Sequence, residues 1–187
     1  MQNTASPDIE AMALHRMPPP EFPVGPYVSE LPIAAGRRLE LIGQIEQLPA
    51  QLRQLVGGMN DSQLDTRYKN WTIRQIVHHL ADSHLNGYVR FRLALTEDRP
   101  TIKDYDRPRW AELSDSKTAD VGLSLRLLES LHARWAVLLR TLTDGDFERT
   151  YFHPDHQREV RLDETIALYA YHGRHHCAQI AWLHKSS

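Results

Sequence analysis

Four stretches of the chain place apolar residues at the three- and four-residue steps that give an α-helix one apolar face. The first runs from about Ile33 to Met59, with Leu41, Ile45, Leu48, Leu52 and Leu55 in line. Pro49 falls inside it and is expected to kink it, since proline has no backbone N–H to give. Gly57-Gly58 is expected to end it. The second opens at Trp71-Thr72-Ile73-Arg74-Gln75, where Thr72 and Gln75 have the spacing of a capping box. Its stripe of Ile73, Ile76/Val77, Leu80, Tyr88, Phe91 and Leu95 carries it to about Thr96. The third spans about Asp120 to Leu142 on Ser124, Leu128, Leu131, Trp135, Leu138 and Leu142. The fourth starts at Asp163, read as its N-cap, and continues to about His184.

The stretches between are of different kinds. Residues 60–66 read as a polar connector. Residues 97 to about 120 show no sustained period and hold Pro100 and Pro108; connections that long are usually crossovers or functional lids. Tyr151 to Val160 looks like a short hairpin around Pro154-Asp155. Residues 1–32 carry seven prolines and read as an extended arm, disordered before about Glu21. Residues 33–187 then make one domain.

There is a faint internal repeat. Met59-Asn60-Asp61-Ser62-Gln63-Leu64 ends the first helix much as Leu142-Thr143-Asp144-Gly145-Asp146-Phe147 ends the third. Two helix pairs joined by a long crossover give an all-α four-helix bundle whose middle helices run parallel. The second and fourth helices then bring their histidines together.

Composition narrows the function classes. At 187 residues, with 25% charged and 41% hydrophobic residues and a formal net charge of -2, the chain fits a globular domain. No basic run interleaved with aromatics points to nucleic acid, and no apolar run approaches a membrane span. The first ten residues lack the pattern of a signal peptide. One cysteine, Cys177, allows no internal disulfide, so a cytoplasmic location is expected. The anomaly is histidine, 11 in one chain.

Three of those histidines fall in five residues, at His172, His175 and His176. His172 and His176 are one helical turn apart and point the same way, while His175 lies about 100° from His176 around the axis. Two imidazoles on one face can share a metal ion but need a third ligand. The second helix offers His78, His79 and His84. The stripe favours His84 and His79 over His78 and does not choose between them; His84 also reads as a buried histidine donating to a backbone carbonyl.

The run Trp71-Thr72-Ile73-Arg74-Gln75-Ile76-Val77-His78-His79-Leu80-Ala81-Asp82-Ser83-His84, with the block from His172 to Gln179, resembles the DinB superfamily of metal-binding four-helix bundles. More narrowly it is similar to the YfiT group, described as metal-dependent hydrolases and related to bacillithiol S-transferases. The resemblance covers about Phe22 to Leu183. It includes Pro23-Val24-Gly25-Pro26-Tyr27, Asp61-Ser62-Gln63-Leu64-Asp65-Thr66 and Tyr151-Phe152-His153-Pro154-Asp155. It implies His79, His172 and His176 as ligands of one divalent metal, Zn²⁺ first and Ni²⁺ second. It also implies an up-down-down-up bundle, a homodimer and a cytoplasmic location. Cys177-Ala178 departs from the Arg-Gly or aliphatic pair that often precedes the glutamine in that family.

Three protein ligands leave a coordination position open, as in catalytic sites. Water or a thiol bound there loses its proton near neutral pH, so a small-molecule substrate, including a thiol, is expected. Hydrolysis, thiol transfer and a non-catalytic binding bundle all remain open. The chain lacks H-E-x-x-H, so no base is built into the motif. Asp82, Ser83 and Asn86 are the candidates for orienting a ligand or moving a proton, with Asp82 more readily a solvated group or a partner to an imidazole. Only Glu129-Ser130-Leu131-His132 fits the E-x-x-H of a di-iron bundle, too little for such a site. His153 and His156 read as surface residues, and Cys177 as a small core residue. Lys103, Tyr105 and Trp110 either line the mouth of a pocket or pack the crossover down.

Overall fold

The structure, a computed structural model, describes residues 18–186. Residues 1–17, which hold most of the disorder expected before Glu21, lie outside the described residues, as does His15. The chain reads α1 (Ala35–Val56), α2 (Asp61–Leu64), β1 (Arg67–Tyr68), β2 (Trp71–Thr72), α3 (Ile73–Thr96), α4 (Arg107–Ala111) and α5 (Ser114–Thr118). After these come α6 (Val121–Thr141), α7 (Asp144–Glu148), β3 (Thr150–His153), β4 (Arg158–Arg161) and α8 (Leu162–Ser186). The four long helices are the four that periodicity predicts.

Cross-helix contacts fix their directions. Arg140 meets Glu46, and Arg53 meets Glu129, so α1 and α6 are antiparallel. His78 meets Ser124 and His84 stacks on His132, so α3 and α6 are parallel. His79 meets His172 and Arg90 meets Tyr169, so α3 and α8 are antiparallel. The bundle is therefore up-down-down-up. Each of α1 and α3 packs on both α6 and α8. Thus α3 and α8 are direct neighbours.

The apolar faces close on Trp135, Phe91, Ile45, Leu80, Leu128 and Ile166, all with side chains out of water. Glycine lets two helices approach. A Cβ at Gly87 would lie 2.4 Å from Cζ of Tyr169, a buried ring with no room to retreat. Gly87→Ala is expected to cost about 1–3 kcal/mol of stability, read as a lower urea midpoint.

The internal repeat has a structural counterpart. After α1 comes α2, opened by a reciprocal capping box between Asn60 and Gln63; after α6 comes α7, opened by one between Thr143 and Asp146. A two-stranded antiparallel ribbon follows in each half and delivers a histidine-bearing helix. The capping box of Thr72 and Gln75 stands as expected. Asp163 is not an N-cap: α8 begins at Leu162, and the Asp163 carboxylate sits in the first turn, gripped by Arg161 at 2.8 and 3.0 Å. The residues read as a polar connector contain a helical turn, and the unperiodic crossover contains two.

The crossover is tied down. Gln75 Nε2 donates to Ala111 O at 2.7 Å, Arg74 to Ala119 O at 3.0 Å, and Arg90 to Asp104 at 2.8 Å. The described part of the N-terminal arm is extended and pinned as well. Tyr68 donates to Pro20 O and Tyr171 to Gly25 O, so order begins before Glu21. Among the described residues no helix is long and apolar enough to cross a membrane.

Candidate metal centre

Two bundle helices and one ribbon build the site. α3 presents His79 on its second turn, and α8 presents His172 and His176 one turn apart. Trp71 on β2 lies against the His79 ring at 4.5 Å and over His176 at 6.4 Å, so it walls the cluster on the ribbon side. The Nε2 of His172 stands 3.1 Å from Nε2 of His79 and 3.1 Å from Nε2 of His176. Among the described residues this is the group of histidine, cysteine and carboxylate side chains whose ligand atoms converge closely enough to hold a metal ion.

The far sides of the rings decide what those short contacts mean. His176 Nδ1–H donates to Gln179 Oε1 at 2.7 Å, and Gln179 Nε2 donates to His175 Nε2 at 2.9 Å. With its proton on Nδ1, His176 has a bare Nε2. His172 Nδ1 meets His84 Nε2 at 3.3 Å, so donation there leaves the His172 Nε2 bare too. Bare nitrogens 3.1 Å apart repel unless a cation sits between them. Two imidazoles bound tetrahedrally to zinc at about 2.0–2.1 Å would have their nitrogens about 3.3 Å apart, so the observed spacing fits a shared ion. Burial pushes His176 down to about 4, and pushes His79 and His172 well below the usual imidazole value. All three are neutral at pH 7, the form that binds metal. Replacing Gln179 with Leu is expected to weaken metal binding about 10–100-fold by freeing the His176 ring, measurable against a chromophoric chelator.

The remaining candidates separate cleanly. His78 is buried but faces α6, with Nδ1 2.7 Å from Ser124 Oγ and Nε2 3.3 Å from Ala119 O. His84 is buried on the rear of His172 and meets that ring rather than a backbone carbonyl. The core histidine bound to a helix carbonyl is instead His132, fully buried, whose Nδ1 lies 2.5 Å from Ile45 O. Ser83 is buried one turn beyond His79 on the same helix. Asp82 is half-buried, and burial together with the nearby Asp115 raises its carboxyl to about 6. His153 is not a surface residue: it is 3% exposed, beneath His156 and 4.0 Å from Asp104. Cys177 is a core thiol, pushed up to about 12 by burial.

Access comes from between the β1–β2 ribbon and the crossover. A cavity of about 420 Å³ opens beside His176, lined also by Trp71, Gln179, Ile76, Pro108 and Glu112. A second, of about 830 Å³, runs along the crossover past Lys103, Tyr105 and Arg107, and Pro108 borders both. Trp110 packs on Tyr105 at 4.5 Å and lines neither. Sequence pattern alone could not find Gln179 or His84 as partners of the ligands, since neither bond shows in a motif.

Comparison with known proteins agrees with this geometry. The sequence profile described as "DinB superfamily" matches residues 44–180. A Bacillus subtilis protein named "Putative metal-dependent hydrolase YfiT" is 49% identical over 164 residues, covering 87% of this chain and 92% of its own length. A Bacillus anthracis relative with the same functional wording is 48% identical over 166 residues, 88% of this chain and 95% of its own. The solved structure of YfiT from Bacillus subtilis, described as "a probable metal-dependent hydrolase with an unusual four-helix bundle topology", superposes with a TM-score of 0.83 over 86% of this chain and 93% of that one. The profile match over most of the chain, with relatives at this level of identity and an up-down-down-up bundle carrying a three-histidine cluster, places the chain in the DinB superfamily.

Proposed function

We propose that the protein is a metal-dependent hydrolase in which His79, His172 and His176 hold one divalent ion, Zn²⁺ before Ni²⁺. The observation that carries this reading is the convergence of three neutral imidazoles, with the Nε2 of His172 standing 3.1 Å from the Nε2 of each of the other two. When bound, the ion would supply Lewis acidity, enough to bring the proton of water to a pKa of about 7. The chain's own residues do the rest. Gln179 fixes the ring of His176, and Trp71 packs on the rings of His79 and His176 at the cavity wall. Asp82, three residues beyond His79 on the same helix, is our candidate for taking a proton, its carboxyl pushed up to about 6 by burial and by Asp115. A small-molecule substrate would lie in the cavity against His176. Family resemblance extends the proposal to a homodimer in the cytoplasm; a monomer on sedimentation would remove that part.

A second reading is transfer of a low-molecular-weight thiol to an electrophile. It is favoured by the neutral partners of the ligands: His84 and Gln179 carry no charge, so a divalent ion would keep its full charge and attract a thiolate. A thiolate needs no base, whereas water does. Two results separate the readings. If hydrolysis is the activity, its rate should rise with pH through about 6 as Asp82 loses its proton, then level off. Asp82→Asn should then slow it about 10²–10⁴-fold. Thiol consumption with a chromogenic electrophile, unmoved by Asp82→Asn, would support transfer instead. Silence in both assays with metal retained would mean a binding bundle without catalysis.

A further inference from the structure

Behind the three-histidine cluster lie two buried histidines that the proposed chemistry does not use. His84 and His132 are both 0% exposed, and their rings stack at 4.8 Å with 26° between planes. Trp135 and Tyr169 close around His84, so the pair sits in an otherwise apolar core. A neutral imidazole there costs desolvation unless both nitrogens are satisfied.

The hydrogen bonds assign their protons. His132 Nδ1–H donates to Ile45 O, so its Nε2 is a bare acceptor. His84 Nε2 accepts from His172 Nδ1–H, so the proton of His84 is on Nδ1. Neither of the remaining atoms, His84 Nδ1 nor His132 Nε2, has a hydrogen-bond partner among the described residues. One is a donor and the other an acceptor, on stacked neighbouring rings.

The far end of this chain has a sequence cause. In α1 the carbonyl of Ile45 would ordinarily accept from the N–H four residues on. That residue is Pro49, which has none. The proline leaves Ile45 O open in the core, and His132 fills it. The result is a line of polar groups reaching all four long helices, His172 on α8, His84 on α3, His132 on α6 and Ile45 on α1, hydrogen-bonded at each end and stacked in the middle.

We propose that His84 and His132 are positioning residues for the metal centre, a two-imidazole relay that holds His172 with its Nδ1 protonated and its Nε2 free, anchored on the carbonyl opened by Pro49. The inference rests on the three-histidine reading of the site. It assigns the complementary orphans a purpose: a turn of one ring out of the stack would bring His84 Nδ1–H onto His132 Nε2 and make the line continuous.

The test uses the full chain and Zn²⁺, with affinity read by competition against a chromophoric chelator. His84→Gln keeps an acceptor where Nε2 stands, while His84→Leu removes it. The expected result is about 10–100-fold weaker binding for His84→Leu and rescue to within a few-fold by His84→Gln. Imidazole ¹⁵N spectra of the wild-type protein need no variant. They should show Nδ1–H tautomers at His84 and His132, and added Zn²⁺ should shift the Nε2 resonance of His132. A purely packing role would leave that resonance still. Wild-type affinity in His84→Leu, or a His132 signal indifferent to Zn²⁺, would overturn the relay. Failure of the wild-type protein itself to bind Zn²⁺ would instead remove the metal site on which the relay rests.

Discussion

Replacing His79, His172 or His176 singly with alanine should lower affinity for a divalent metal by more than about a hundredfold, while His78→Ala and His175→Ala should leave it nearly unchanged. Loss of an outer partner typically costs about 10–100-fold, and loss of a direct ligand should exceed that. The contrast between neighbours makes the test sharp. His78 and His79 are adjacent in sequence, yet His78 spends both ring nitrogens on Ser124 and Ala119 of the α6 side. His175 is adjacent to His176, yet only receives a hydrogen bond from Gln179. Equilibrium dialysis with elemental analysis reads the outcome. Metal binding that survived His79→Ala but not His84→Ala would mean that the ligand on α3 is misassigned.

Trp135→Ala should destabilise the fold by about 3–5 kcal/mol, a large share of the roughly 5–15 kcal/mol that holds a domain folded. Trp135 is completely buried. Its ring meets those of Phe91 at 5.4 Å, Tyr169 at 5.5 Å, His132 at 6.1 Å, Tyr88 at 6.2 Å and His84 at 6.3 Å. It therefore joins α3, α6 and α8, and no single neighbour can fill the space an alanine would leave. Chemical denaturation should show a lowered midpoint with little change in slope. Because the same ring walls His84 and His132, the variant should also bind metal more weakly.

The four long helices were legible because each is long enough for a 3.6-residue period to repeat several times. The single-turn helices α2, α4, α5 and α7 and the ribbon of β1 and β2 were not, since two to five residues hold less than one or two periods. Their capping boxes carried a signal: Asn60 with Gln63 and Thr143 with Asp146 sit where the internal repeat was noticed. Pro49 was read as a kink; its consequence for Ile45 depends on His132, 87 residues away, and no local pattern shows that.

The choice between His79 and His84 shows the limit most clearly. Both point inward, and both meet His172. His79 meets its Nε2, where a metal can be shared, and His84 meets its Nδ1, the opposite edge of the ring. Helical periodicity places a residue on a face but not on one or other side of a partner from a different helix. The resemblance to the DinB superfamily implies His79, and His79 is the one of the two whose Nε2 lies beside the Nε2 of His172. His153 departs from its expected surface position for a related reason: the hairpin that carries it packs onto the crossover through a bridge between Thr101 and Phe152, a contact invisible in the local sequence.

X-ray absorption at the metal edge of the purified protein addresses the central claim most directly. One ion per chain, with three imidazole nitrogens at about 2.0–2.1 Å and at least one further light atom from solvent, is the predicted result. A substoichiometric ion, a shell of fewer than three imidazoles, or a fourth protein side chain closing the coordination would contradict it.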